Sequence, residues 1–462
     1  MEKKRVAFES LGCKLNYAET IQIQKEFQRR GFEVVDSSNA ADVFVVNTCT
    51  VTQSADSDCR QVVRRVLRTS PEAYVVVTGC YAQGKPEEVA AIEGVDLVLG
   101  TNEKFHLFSF VDDFKKSRHE GNVLGENYHA RIFAGHAEES AEFGAADSAV
   151  DNSITGADSG VHVRTRAFLK VQDGCSYSCS YCTIPNVRGK SRSPSIDFLI
   201  RQVKNISACG FKEVVLSGVN VGDFGSASSG KGETFLDLLH GLESVQGIER
   251  YRISSIEPNL LTKEIVTFVA SSDKFCNHFH VPLQNGSDEV LRRMRRRYNA
   301  NQYREVVEHI KELMPGAGIG ADVIVGFPGE TNELFEKSYN FIENLPLSYL
   351  HVFSYSERNG TDSAGFGGSV DPRVRRKRSE LLRMLSQRKR YEFNRQFVGK
   401  IVKVLVEEEV KNEKIYGFTP NYVRVEMAAG AFAGANSSRI GEISDVLLTG
   451  VSDNTALGQV IL

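Results

Sequence analysis

A chain of 462 residues is long enough for about three domains, and its 41% hydrophobic and 25% charged residues exclude a disordered or fibrous protein. A formal net charge of −3 gives no global argument for nucleic acid, so any such argument has to be local. No apolar run approaches bilayer length, and the start Met1-Glu-Lys-Lys-Arg-Val-Ala-Phe8 passes from charge directly into a strand-like segment without the apolar core of a secretory signal. The expected compartment is the cytoplasm, where the nine cysteines stay reduced and read as metal ligands rather than disulfides.

In chain order, residues 1–125 alternate apolar strands (5–8, 43–47, 74–78) with amphipathic helices (17–30, 55–68). That alternation predicts an open parallel α/β sheet covered by helices. Cys13, Cys49 and Cys80 each stand just past one of the three strands. Ligands of open α/β sheets bind outside the carboxyl ends of strands, so three cysteines distant in sequence converge on one edge. Isolated buried cysteines are often plain core residues, and that reading is kept for Cys59, Cys209 and Cys276. Residues 126–162 are rich in Ala, Ser, Gly, Asp and Glu and read as a flexible linker.

Residues 163–395 repeat strand and helix six times, with strands expected at 167–171, 213–217, 251–254, 278–282, 321–325 and 350–353. Six such repeats predict a complete or partial parallel barrel with its chemistry at the carboxyl ends of the strands. The first strand runs into Cys175-Ser-Tyr-Ser-Cys179-Ser-Tyr-Cys182. A four-iron cluster takes four thiolates, so three at this spacing leave one iron open to a cofactor. A zinc knuckle would show a second Cys or His pair downstream, and none follows. Residues 396–462 are strand-rich (401–406, 422–425, 443–448) and predict a small antiparallel barrel.

Cys175 to Cys182, with Tyr181 as the aromatic, resembles the signature of the radical-SAM superfamily, which uses S-adenosylmethionine (SAM). The longer stretch Arg164-Thr-Arg166-Ala-Phe-Leu-Lys-Val-Gln-Asp-Gly-Cys175, then Cys182-Thr-Ile-Pro185 and Arg188-Gly189, resembles the methylthiotransferases. So do Leu11-Gly-Cys13-Lys-Leu-Asn-Tyr-Ala-Glu-Thr20 and Asn47-Thr-Cys49-Thr-Val-Thr52, while residues 396–462 resemble the RNA-binding TRAM domain. The resemblance implies a six-strand partial barrel and two [4Fe-4S] clusters, one on Cys175, Cys179 and Cys182 and one on Cys13, Cys49 and Cys80. It implies SAM both as methyl donor and as radical source, with contacts from Gly218, Ser254, Glu257, Gln284 and Gly326. It also implies a one-electron donor such as flavodoxin or ferredoxin, and a sulfur donor.

The chain most resembles the branch that methylthiolates C2 of N6-threonylcarbamoyladenosine beside the tRNA anticodon, notably in His351-Val-Phe-Ser-Tyr-Ser-Glu-Arg-Asn-Gly-Thr361. The sibling branches act on isopentenyladenosine or on an aspartate of a ribosomal protein, and a non-catalytic iron–sulfur RNA-binding protein is a further alternative. Expected contacts to tRNA are Arg164, Arg166, Arg188, Arg295, Arg296, Arg297, Arg388 and Lys389. The last five belong to two basic stretches whose charge would meet phosphates.

Overall fold

The computed structural model describes residues 3–49, 53–116, 130–135, 137, 165–226, 232–411, 414–428 and 440–461. The chain divides into two units, one of residues 1–162, 168–177 and 182–194, the other of residues 163–167, 178–181 and 195–462.

The first unit holds a parallel sheet of β1 (Arg5–Ser10), β2 (Glu33–Val35), β3 (Val43–Thr48), β4 (Tyr74–Gly79), β5 (Leu97–Leu99) and β6 (Arg131–Phe133), in the order β2-β1-β3-β4-β5-β6. Central strands β3 and β4 are buried throughout, as continuous valine-rich runs of a sheet covered on both faces should be. Alternation divides their side chains between two cores. Phe44, Val46, Val75 and Val77 pack with Val62, Val63 and Val66 of the helix Gln53–Thr69. Val43, Val45, Tyr74 and Val76 pack with Ile23 and Phe27 of the helix Lys14–Arg29. Strand β6 corrects the expectation of a linker across residues 126–162: three residues of that stretch pair in register with β5, Leu97 to Arg131 and Leu99 to Phe133. An edge strand needs only one ladder of hydrogen bonds, so so short a piece suffices. Most of the remaining linker lies outside the described residues.

The barrel strands are β7 (Arg166–Lys170), β8 (Glu213–Ser217), β9 (Arg250–Ile253), β10 (His278–His280), β11 (Gly318–Val325) and β12 (Tyr349–Ser354). They form two three-stranded parallel sheets, β7-β8-β9 and β10-β11-β12. Single parallel bridges, Tyr251 to Phe275 and Ser255 to His280, join β9 to the β10 side. Six helices of this region have a start signal in the sequence: the side chains of Ser195, Thr234, Thr262, Asn299, Thr331 and Asp371 all accept a backbone N–H of the first turn.

In the same unit, β13 (Ile401–Lys411), β14 (Lys414–Phe418), β15 (Arg424–Ala428), β16 (Ile443–Ser452) and β17 (Thr455–Val460) close a small barrel in the order β13-β14-β15-β17-β16. The turn between β14 and β15 meets the start of the large barrel's strands. Arg252 donates to the carbonyls of Thr419 (3.1 Å) and Pro420 (2.9 Å), and Asn421 donates to Gly316 O (3.0 Å). Tyr422, at φ +69°, packs tilted against His278, with ring centres 4.6 Å apart. Gly318 is required here, because a Cβ would stand 2.2 Å from Asn421 O. Glu213, His278, Gly318 and Tyr349 are the first residues of β8, β10, β11 and β12, so the turn covers the amino end of the barrel.

Candidate functional site

Cys13, Cys49 and Cys80 follow β1, β3 and β4, which are adjacent in the sheet, and the strand ends are level: Ser10 pairs with Asn47 and Thr48 with Gly79. Gly12, at φ +97°, passes so close to Cys49 that a Cβ would lie 2.8 Å from its sulfur. Asn16 ties the loops together, donating to Leu11 O (2.9 Å) and Thr48 O (2.8 Å), while Asn47 donates back to Asn16 O (2.9 Å). Cys49 and Cys80 are buried and Cys13 is exposed.

Behind these cysteines lies a knot of buried charge. Arg188 Nε donates to Cys80 Sγ (3.3 Å), its Nη2 to Asn16 Oδ1 (2.7 Å), and its Nη1 to Glu19 (2.9 Å) and Asp173 (3.0 Å). Lys104 and Lys170 also pair with Glu19, and Lys170 and Arg192 with Asp173. Burial opposes the charge on Glu19, but Arg188, Lys104 and Lys170 together hold its carboxyl well below the usual range. Asp173 is held down in the same way, against burial, by Lys170, Arg188 and Arg192. Burial pushes the Cys80 thiol up, and Arg188 pulls it back towards thiolate. Two carboxylates face four cations, an excess of positive charge beside three sulfurs. Such a donor set fits an anionic, thiolate-ligated metal cluster.

Around the Cys175–Cys182 loop each sulfur has its own setting. Cys175 Sγ accepts from Tyr177 N (3.4 Å) in the first unit. In the second unit Cys179 Sγ accepts from Arg296 Nη1 (3.1 Å), and burial raises its thiol while Arg296 lowers it. Cys182 is partly buried. Thiols of this kind, one supplied with a backbone N–H and one with a guanidinium, suit thiolate ligands.

Arg296 also pairs with Glu257 and donates to Tyr181 Oη (3.4 Å), and Tyr181 packs edge-on to Phe327, whose ring is 6.2 Å away. Gly326, at φ +74°, donates its N–H to Glu330 (2.6 Å), and a Cβ there would strike Arg375. Gln284 takes φ +66°, and its N–H meets Asp322 O (2.8 Å). Ser254 Oγ is buried without a hydrogen-bond partner among the described residues, and Gly218 is partly buried just past β8. Tyr181, Ser254, Glu257, Gln284 and Gly326 thus all belong to the second unit, in or beside loops that follow its strands or the cysteine loop.

Several expected tRNA contacts are corrected. Arg188 is 2% exposed and its guanidinium is spent on Glu19, Asp173, Asn16 and Cys80, so it does not face a phosphate. Arg296 is likewise buried against Glu257 and Cys179. Lys389 donates to the carbonyls of Glu343 (2.8 Å) and Leu345 (2.7 Å), and burial lowers its pKa to about 8. Arg166 lies between Glu407 (2.8 Å) and the Phe418 ring. Arg295 and Arg388 are exposed and paired with Asp362 and Glu343, and Arg297 is exposed. Arg164 lies outside the described residues. Sequence reasoning missed the charge knot, although Lys170 inside the apolar run Ala167-Phe-Leu-Lys-Val171 was a signal for it.

Comparison with known proteins follows the same division. The Radical SAM superfamily model matches residues 169–342, the TRAM domain residues 395–461, and the uncharacterized protein family UPF0004 residues 5–100. The fold is similar to that of the radical S-adenosylmethionine methyltransferase TsrM from Kitasatospora setae, with a TM-score of 0.54 over 76% of this chain and 75% of that one at 15% identity. These features define a radical-SAM enzyme. The threonylcarbamoyladenosine tRNA methylthiotransferase MtaB of Bacillus subtilis (strain 168) is 39% identical, with 91% of this chain and 89% of the relative covered. Its namesake from Aquifex aeolicus (strain VF5) is 37% identical, covering 91% and 96%. The tRNA-2-methylthio-N(6)-dimethylallyladenosine synthase of Clostridium tetani (strain Massachusetts / E88) is 30% identical, covering 97% and 94%. The chain belongs to the radical-SAM tRNA methylthiotransferase family, a family of transferases, and most resembles the threonylcarbamoyladenosine branch. No helix among the described residues is long and apolar enough to cross a membrane.

Proposed function

We propose that this protein adds a methylthio group to C2 of N6-threonylcarbamoyladenosine beside the anticodon of tRNA, in the cytoplasm. The observation that carries the reading is the convergence of Cys13, Cys49 and Cys80 on one sheet edge, backed by the guanidinium of Arg188. In this reading they hold one [4Fe-4S] cluster and Cys175, Cys179 and Cys182 hold the other. With SAM bound, these groups would supply one-electron radical chemistry and methyl and sulfur transfer.

The chain's own residues prepare the two sites. Arg188 and Arg296 donate to ligand sulfurs and favour the thiolate form. Tyr181 and Phe327 form an apolar wall beside Gly326, where the bare backbone N–H is fixed by Glu330. Ser254, Glu257, Gln284 and Gly218 line the strand ends as polar contacts for SAM. Electrons would come from a flavodoxin or ferredoxin and sulfur from a separate donor.

The test is anaerobic reconstitution followed by iron and sulfide analysis and mass spectrometry of tRNA nucleosides. About eight irons per chain, falling to about four in the Cys175→Ala/Cys179→Ala/Cys182→Ala variant, is the expected result. Four irons falling to none would remove the second cluster and the methylthio reading with it. A second reading, isopentenyladenosine as substrate, is favoured by relatives named as dimethylallyladenosine synthases at 29–30% identity.

A further inference from the structure

One face of the second unit's barrel carries a polar column that neither cluster nor SAM accounts for. Strand alternation puts Gly318, Gly320 and Asp322 of β11 on one face, and with them His278 and His280 of β10 and Tyr349 and His351 of β12. A Cβ on Gly320 would strike the Tyr349 ring, and one on Gly318 would meet the turn at Asn421, so this face is the barrel's interior. The opposite face of β11 holds fully buried Ile319, Ala321 and Val323.

The column opens towards the carboxyl ends of the strands. At its base Tyr422 covers His278, which bonds Tyr349 Oη at 2.9 Å. His278 is 3% exposed and Tyr349 6%. Above them His280 Nε2 and His351 Nδ1 both meet one oxygen, Asp322 Oδ1, at 3.0 and 3.3 Å. The side chain of Asp322 is 24% exposed and that of His351 50%. Phe353, two residues further along β12 on the same face, is also exposed. Burial opposes the charge on Asp322, but the two imidazoles hold its carboxyl below the usual range. The His280 carbonyl accepts from Ile256 N (3.1 Å), and the neighbouring Glu257 is the partner of Arg296 at the Cys179 sulfur.

Both contacts end on the same carboxylate oxygen at hydrogen-bond length. One acceptor thus orients two imidazoles. Asp322 therefore engages His351 through Nδ1 and leaves Nε2 outside that pair, on a side chain that is half exposed. An isopentenyl group has no polar atom to offer His351 Nε2, and burying it here would cost that nitrogen its contact with water. A threonylcarbamoyl group carries a carboxylate, a hydroxyl and amide N–H groups, and Phe353 supplies a flat surface for a base.

We propose that His280, Asp322 and His351 form the subsite for the carboxylate-bearing N6 substituent of the target adenosine, with His351 touching the substituent and Asp322 orienting it. The inference rests on the substrate reading above. It is tested with reconstituted full-length enzyme on two tRNAs, one carrying threonylcarbamoyladenosine and one carrying isopentenyladenosine. Methylthio product is measured as KM and kcat for wild type, His351→Ala, His351→Gln and Asp322→Asn. The expected result is a fall of about 10- to 100-fold in kcat/KM for the threonylcarbamoyl substrate in His351→Ala. The loss should fall mainly on KM, with partial rescue in His351→Gln and a smaller loss in Asp322→Asn. Discrimination against the isopentenyl substrate should narrow in parallel. Wild type that modifies only the isopentenyl substrate overturns the substrate reading and this subsite together. Wild type active on threonylcarbamoyladenosine, with variants of unchanged KM and unchanged discrimination, overturns the subsite alone. Stoichiometric zinc in wild type that is lost in His351→Ala also overturns it, by making the cluster a metal site.

Discussion

Arg188 in the first unit and Arg252 in the second are each 2% exposed or less, and each faces a carboxylate. Their remaining partners differ. Arg252 bonds Glu213, which Arg250 also approaches at 3.9 Å, and then the backbone carbonyls of Thr419 and Pro420. Arg188 bonds Glu19, Asp173 and Asn16 and then a cysteine sulfur, within a knot that carries excess positive charge. A buried cation matched by fixed dipoles is complete. One matched by a thiol, with cations in excess, is arranged for a further anion. The first device holds a module in place and the second prepares a site.

The largest effect should come from breaking the second device. Arg188→Ala strips Glu19 and Asp173 of buried charge-assisted hydrogen bonds, at a cost of about 3–5 kcal/mol in a urea titration. Iron bound by the first unit should fall in the same variant. Wild-type iron content would sink the distinction between the two arginines. Next, Glu213→Leu with Arg252→Met removes both members of the other pair. The cost, about 2 kcal/mol, comes from buried Arg250, which loses its carboxylate, and from the Pro420 carbonyl, which loses its donor. Iron content should not change.

Acid sharpens the comparison further. Glu19 and Asp173 bind protons less readily in the folded chain than in the unfolded one. Their contribution is fully present above the ordinary carboxylate range near pH 4 and is lost as pH falls below it. Urea midpoints measured from pH 6 to pH 3 should fall steeply in wild type and less steeply in Glu19→Gln. The smallest effect is expected at Arg166, whose partly exposed pairing with Glu407 should cost under about 1 kcal/mol in Arg166→Ala, read as a small shift in thermal midpoint.

The parts legible in the sequence are those governed by neighbours along the chain. Valine runs announced β3 and β4, and the cysteines after three strands announced a shared edge. Strands β2, β5 and β6 have three residues each, too few for a period to register. Arg188 was expected to contact tRNA. What buries it is Glu19, 169 residues away, and no local pattern carries that information. Lys389 failed differently: in the helix Pro372–Arg395 Leu382 and Leu385 are buried and Leu381 is exposed, and the lysine turns inwards to two carbonyls.

The turn from Thr419 to Tyr422 gives the small barrel a second duty. It is the stopper of the large barrel as well as a candidate RNA-binding attachment. Cutting the chain before residue 396 would leave Arg252 without its carbonyl partners and open the base of the polar column beneath Tyr349 and His278 to solvent. A truncated enzyme would then be defective even on a substrate too small to need the RNA-binding module. A loss of activity on truncation would therefore report a leak as readily as a lost grip on tRNA.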